Sequence, residues 1–134
     1  MTLRSSTFLR RALLADAVVT GATAAALVLF AGVLGAVFGM PAPLLRFAGV
    51  ILLPFAAVVL ALARREDVGR AAVLTIIVCN ALWAVDSILL LFMGWLEPTL
   101  LGAAFVVGQA LIVAAFAELQ YVGMRQSAGT MRAA

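Results

Sequence analysis

Histidine and lysine are absent from this chain, cysteine occurs once, and only six residues are acidic. Each scarcity excludes something. Without histidine there is no imidazole-held haem and no His-based zinc or di-iron centre. The lone Cys79 excludes an internal disulfide. Charged residues make up 11% of the 134, where a soluble domain carries about 25%. Hydrophobic residues make up 66% and the mean hydropathy is +1.23. That balance rules out an ordinary water-soluble enzyme and leaves an integral membrane protein of one domain.

What charge there is lies in blocks. All nine basic residues are arginines, and the net charge is +3. Arg4, Arg10, Arg11, Arg64, Arg65, Arg70, Arg125 and Arg132 cluster at the ends of apolar runs; only Arg46 stands apart. Basic residues at such margins report orientation and contact with anionic lipid. A nucleic-acid partner would need a continuous basic stripe interleaved with exposed aromatics, and none is visible.

A bilayer core of about 30 Å needs about 20 apolar residues in helix. Four stretches qualify: roughly 12–38, 43–63, 71–93 and 98–122. The dividers are Gly39-Met40-Pro41-Ala42-Pro43, the charged piece from Arg64 to Arg70, and Gly94-Trp95-Leu96-Glu97-Pro98. Two of these are Gly/Pro turns, which stop one helix and start the next. Placing both termini and the 64–70 loop in the cytoplasm puts eight of the nine arginines there, as the positive-inside rule requires. The expected fold is an all-α, antiparallel four-helix bundle with N- and C-termini on the cytoplasmic side. An Arg-only, Ala-rich chain points to a bacterial inner membrane. Asp16 and a length of about 27 residues set the first span apart from a cleavable signal peptide.

Polar residues inside spans cost about 2.5–3.5 kcal/mol when ionised at mid-span, so their positions carry information. In the third span, Thr75, Cys79, Asn80, Trp83, Asp86 and Ser87 fall within an arc of about 140°, with lipid-compatible residues on the remainder. In the first span, Asp16, Thr20 and Thr23 stack at i, i+4, i+7. Counting inward from the loops puts Thr23, Asn80 and Gln109 about 15–18 Å deep. They are expected to form a midplane polar layer facing the backbone near Val50, which Pro54 loosens. With Trp83 and Asp86 they make up the candidate interior site.

Arg46 and Asp86 lie near the same end of their spans and are candidates for an ion pair between the second and third spans. Left unpaired, Asp86 would be placed to carry a proton or bind a cation. Asp16 and Glu118 are expected at the cytoplasmic margin, snorkelling or pairing with nearby arginines. Gln109 and Glu118 lie about 180° apart on the fourth span and do not share one site. Cys79 lacks the nearby positive charge that makes a thiol reactive, and no set of residues implies a metal or cofactor.

The signatures of known four-span groups do not assemble on these residues. The first span lacks the deep Glu of small multidrug-resistance pumps, and the paired cysteines of quinone-linked disulfide enzymes are missing. By topology alone, over 10–125, the chain resembles small four-span bacterial inner-membrane proteins. The role implied is non-enzymatic: a structural or accessory subunit, or interaction module, of a membrane complex or of a homo-oligomer within the lipid bilayer. The alternative is a small-molecule or ion transporter, or a ligand-binding bundle, homo-oligomeric and with a polar interior around Asn80, Asp86 and Gln109. An intramembrane enzyme ranks behind both, because no second catalytic group stands beside Asp86.

Overall fold

A computed structural model describes the backbone of residues 2–133 and the side chains of residues 2–127. Two short strands and five helices follow one another: β1 (Thr2–Arg4), α1 (Thr7–Leu29), α2 (Ala31–Phe38), α3 (Ala42–Ala63), β2 (Asp67–Gly69), α4 (Arg70–Phe92) and α5 (Leu100–Ala133). Thr7–Leu29, Ala42–Ala63, Arg70–Phe92 and Leu100–Ser127 are each long and apolar enough to cross a membrane. The chain is a small four-helix membrane protein. The side chain of Arg132 lies outside the described residues.

The first span begins earlier than its hydropathy suggests and is broken before its end. Ser6 caps α1, its hydroxyl accepting from the Leu9 amide at 3.1 Å, which satisfies one of the orphan donors of a helix start. At Phe30 the backbone leaves helical geometry (φ −119°, ψ 25°) and α2 sets off as a separate segment. Gly39 then ends α2 in the left-handed region (φ +67°), a conformation that glycine adopts without a Cβ penalty. Pro41 follows and leads into α3.

In α3 the helix runs unbroken through Pro54, whose side is exposed. The packing order across the bundle is α3–α1–α5–α4. Sequential connections by short turns make each packed pair antiparallel. Close approach of α1 and α3 depends on Gly49: a Cβ there would stand 2.8 Å from the Ala24 carbonyl and 2.7 Å from Val28. Gly35 and Gly39 likewise pack against their own chain, beside Met40 and Thr99. By contrast, α3 and α4 make no substantial packing contact.

The arginine-rich end carries a clasp that the sequence does not announce. β1 pairs antiparallel with β2, Leu3 opposite Val68, and both side chains are buried in the adjoining core. The Ser5 amide donates to the Glu66 carbonyl at 2.7 Å, and the Ser6 amide to Ser127 Oγ at 3.0 Å. Arg10 Nε donates to the Ala63 carbonyl, at the end of α3, at 3.4 Å; a cation at a helix C-terminus is favourable. At the other end, Thr99 closes the turn, its hydroxyl donating to Val37 O at 2.8 Å and accepting from the Gly102 amide.

Apolar packing is concentrated at these two ends. One cluster gathers Leu9, Leu13, Val59, Val73, Ile76 and Met124 beside the clasp. The other gathers Leu27, Phe38, Leu45 and Val106, where Phe38 and Phe105 stack with ring centres 4.7 Å apart. The polar residues of the spans lie between them.

Candidate functional site

Two polar groupings fill the middle of the bundle. The deeper one centres on Asp16, which is 0% exposed. Its Oδ1 accepts from the Thr20 hydroxyl at 2.8 Å. Its Oδ2 accepts from Asn80 Nδ2 at 2.8 Å and from Gln120 Nε2 at 2.6 Å. Asn80 Nδ2 also reaches Gln120 Oε1 at 3.1 Å. One carboxylate therefore ties α1, α4 and α5 together. Hydrogen bonds between membrane helices contribute about 0.6 kcal/mol on average and up to about 1.7. The Asn80 and Gln120 bonds to Asp16 and the Asn80–Gln120 bond cross between helices; at that average the three offset about 1.8 kcal/mol of the roughly 2.5–3.5 kcal/mol that insertion of a mid-span acid costs.

This corrects the expectation for the acids at the arginine-rich margin. Asp16 lies nine residues into α1, about 13 Å along its axis, and turns inward rather than snorkelling. Glu118 is exposed on α5 and takes no part. The α5 residue that meets Asp16 is Gln120, also 0% exposed, which the reading of the sequence passed over. A signal for it exists: Gln120 is eleven residues beyond Gln109, three turns with an offset of only about 20°. The two glutamines thus share a face of α5.

The second grouping borders a cavity of about 560 Å³ formed by α1, α3, α4 and α5. Apolar residues such as Ile51, Phe55, Phe105 and Ile112 make most of its wall. Thr23, Asn80, Trp83, Asp86 and Gln109 all line it, as do Thr20 and Cys79. They do not form one connected layer. Trp83 Nε1 donates to Gln109 Oε1 at 3.0 Å, while Asn80 turns away to Asp16. Thr23 donates to the Val19 carbonyl of its own helix at 2.8 Å. Val50 is not among the lining residues and is largely exposed, so the expected layer does not face it.

The expected Arg46–Asp86 ion pair is not formed. Both side chains are exposed, Asp86 stands on the cavity wall, and the gap between α3 and α4 separates the two helices that carry them. Among the described residues Asp86 has no hydrogen-bond or salt-bridge partner, and no group of three or more Cys, Asp and Glu is placed to hold a metal.

The class that this fold defines is a small multi-pass membrane protein with a cavity between its helices. Comparison with known proteins finds no family model, no curated protein and no solved structure that matches the chain.

Proposed function

We propose that the protein binds a small apolar or amphiphilic molecule in the cavity between α3 and α4, received sideways from the bilayer. The observation that carries this reading is the cavity itself. Its volume, about 560 Å³, falls in the range of about 300–1,000 Å³ common to small-molecule sites, as does its make-up of apolar walls with a few placed polar groups. The two apolar clusters close the bundle at its ends, and the seam between α3 and α4 is the side with least packing. The route that this favours is lateral.

Four helices of one chain line the cavity, so one copy supplies the polar and apolar groups that an occupant would meet. The arginines gathered at the clasp end favour, by the positive-inside rule, a cytoplasmic side for that end and for both termini, and the Arg-only, Ala-rich composition favours a bacterial inner membrane. The accessory-subunit reading has no feature of its own to support it: exposed residues such as Leu29, Phe47 and Phe92 suit acyl chains as well as a partner helix.

Gly108 supplies the test. It lines the cavity, and a Cβ built on it meets nothing within 4 Å. Gly108→Phe should therefore obstruct the cavity, its Cβ having room and its ring projecting among the lining residues. Native mass spectrometry of protein extracted from its membrane should show an apolar adduct on the parent that Gly108→Phe lacks. An adduct-free parent, or equal adducts on both, would contradict the proposal.

A further inference from the structure

The polar atoms bordering the cavity differ in one respect from those of an ordinary mixed site: their donors are already used. The Thr20 hydroxyl donates to Asp16, the Thr23 hydroxyl to Val19 O, and the Trp83 indole to Gln109. Gln109 Nε2 donates to the Val106 carbonyl at 3.0 Å. Asn80 directs its Nδ2 at Asp16 and Gln120. Both hydrogens of that nitrogen are thus committed, so what Asn80 can still offer is its Oδ1, an acceptor, which no donor among the described residues meets. What remains for an occupant is one amide hydrogen of Gln109, the weakly donating Cys79 thiol, and otherwise acceptors.

Charge points the same way. Among the described residues Asp86 is the one carboxylate on the wall, no arginine lines the cavity, and Asp86 has no partner. Trp83 lies one turn before it on the same helix and on the same wall. An indole face attracts cations. Asp16 has a part in this although it does not line the cavity. As a pure acceptor it takes up the Asn80 amide nitrogen, and so leaves that side chain no hydrogen to donate to an occupant.

From this accounting we infer that the cavity selects an amphiphilic cation, an apolar body carrying a protonated amine, with the ammonium between Asp86 and Trp83. This rests on the cavity being a binding site, and deepens that reading by assigning the chemical class of its ligand. An anion finds no counter-charge on the wall and almost no free donor. A neutral chain finds the apolar walls and a few uncharged polar groups, with no use for the Asp86 charge.

The test uses three probes of equal chain length: dodecylammonium, methyl dodecanoate and dodecanoate. The protein contains two tryptophans, Trp83 and Trp95, so Trp95→Phe leaves Trp83 as the sole reporter. Each probe is titrated into this protein in lipid nanodiscs at neutral pH. The same titration on the Trp95→Phe, Gly108→Phe double variant gives the background of membrane partitioning. The expected order is ammonium, then ester, then carboxylate, with the ammonium bound about tenfold or more tighter than the ester, as an ion pair and a cation–π contact together supply. Asp86→Asn should bring ammonium and ester to within about threefold of each other. If the ammonium has no advantage over the ester, or the carboxylate binds as well, the inference falls while the binding site stands. If no probe exceeds the background, both fall.

Discussion

Asn80 Nδ2 lies 2.8 Å from Asp16 Oδ2, and this contact joins the helix that carries most of the cavity's polar residues to the first helix of the chain. α1 and α4 otherwise pack against other partners. The Asp16 carboxylate is thus a cross-tie between parts of the bundle that apolar packing leaves apart, and Gln120 completes it from α5.

Removing that acceptor should be costly. Asp16→Ala leaves the Thr20 hydroxyl and the Asn80 and Gln120 amides facing a void, and an unsatisfied buried polar group costs about 1–3 kcal/mol. A loss of at least that size is expected in SDS-titration unfolding followed by circular dichroism. Gln120→Leu removes one of three donors and should cost less. Equal stability of parent and Asp16→Ala would show that the contacts seen around Asp16 do not hold the bundle together.

Trp83 and Gln109 form the second cross-tie, at 3.0 Å between α4 and α5. Gln109→Leu strips the indole N–H of its acceptor. A stability loss of about 0.6–1.7 kcal/mol is expected, together with a shift of Trp83 emission to shorter wavelength in the Trp95→Phe background. An unchanged spectrum would mean that the bond is not made in the membrane.

Gly108 gives a prediction of opposite sign. Glycine within a helix is about 0.5–1 kcal/mol less favourable than alanine, and at this position nothing stands within 4 Å of an added Cβ. Gly108→Ala should therefore raise stability by about that amount in the same SDS titration. Gly49→Ala, by contrast, should lower it, because its Cβ would press on the Ala24 carbonyl. The reverse ranking would contradict the packing described for α1, α3 and α5.

At the arginine-rich end the clasp makes a chemical prediction. Leu3 and Val68 are register partners in β1 and β2. A Leu3→Cys, Val68→Cys protein, with Cys79→Ser to remove the native thiol, should form an intramolecular disulfide under mild oxidation. Substituting Arg4 and Arg65 instead pairs positions that the register does not oppose, and should give little cross-link. Equal yields from the two pairs would show that this strand register is not held.

Much of this architecture is legible in the sequence because the bilayer is an unforgiving solvent. Four apolar runs, the turns at Pro41 and Pro98 and the polar face bearing Asn80, Trp83 and Asp86 can be read from composition and helical spacing. The legible part ends where a side chain's partner decides its place. Asp16 reads as marginal when depth is counted from Arg11, but α1 begins at Thr7 and the clasp covers its entrance. Glu118 is the charged residue near the end of its span, but Gln120 has the angular position that reaches the interior. The two strands of three residues carry no alternation long enough to register as strands. Nor does the break at Phe30 have a proline to announce it. The Arg46–Asp86 pairing failed because similar depth does not bring side chains together across a gap.

The most direct measurement of the central claim is quenching of Trp83 by acyl chains. Trp95→Phe protein is reconstituted in lipid brominated near the middle of its chains, with Gly108→Phe on the same background as comparison. If the cavity admits apolar molecules from the bilayer, Trp83 is quenched strongly and obstructing the cavity at Gly108 reduces that quenching. A Trp83 that the brominated chains do not quench, or quench equally in both proteins, would contradict a laterally open binding cavity between α3 and α4.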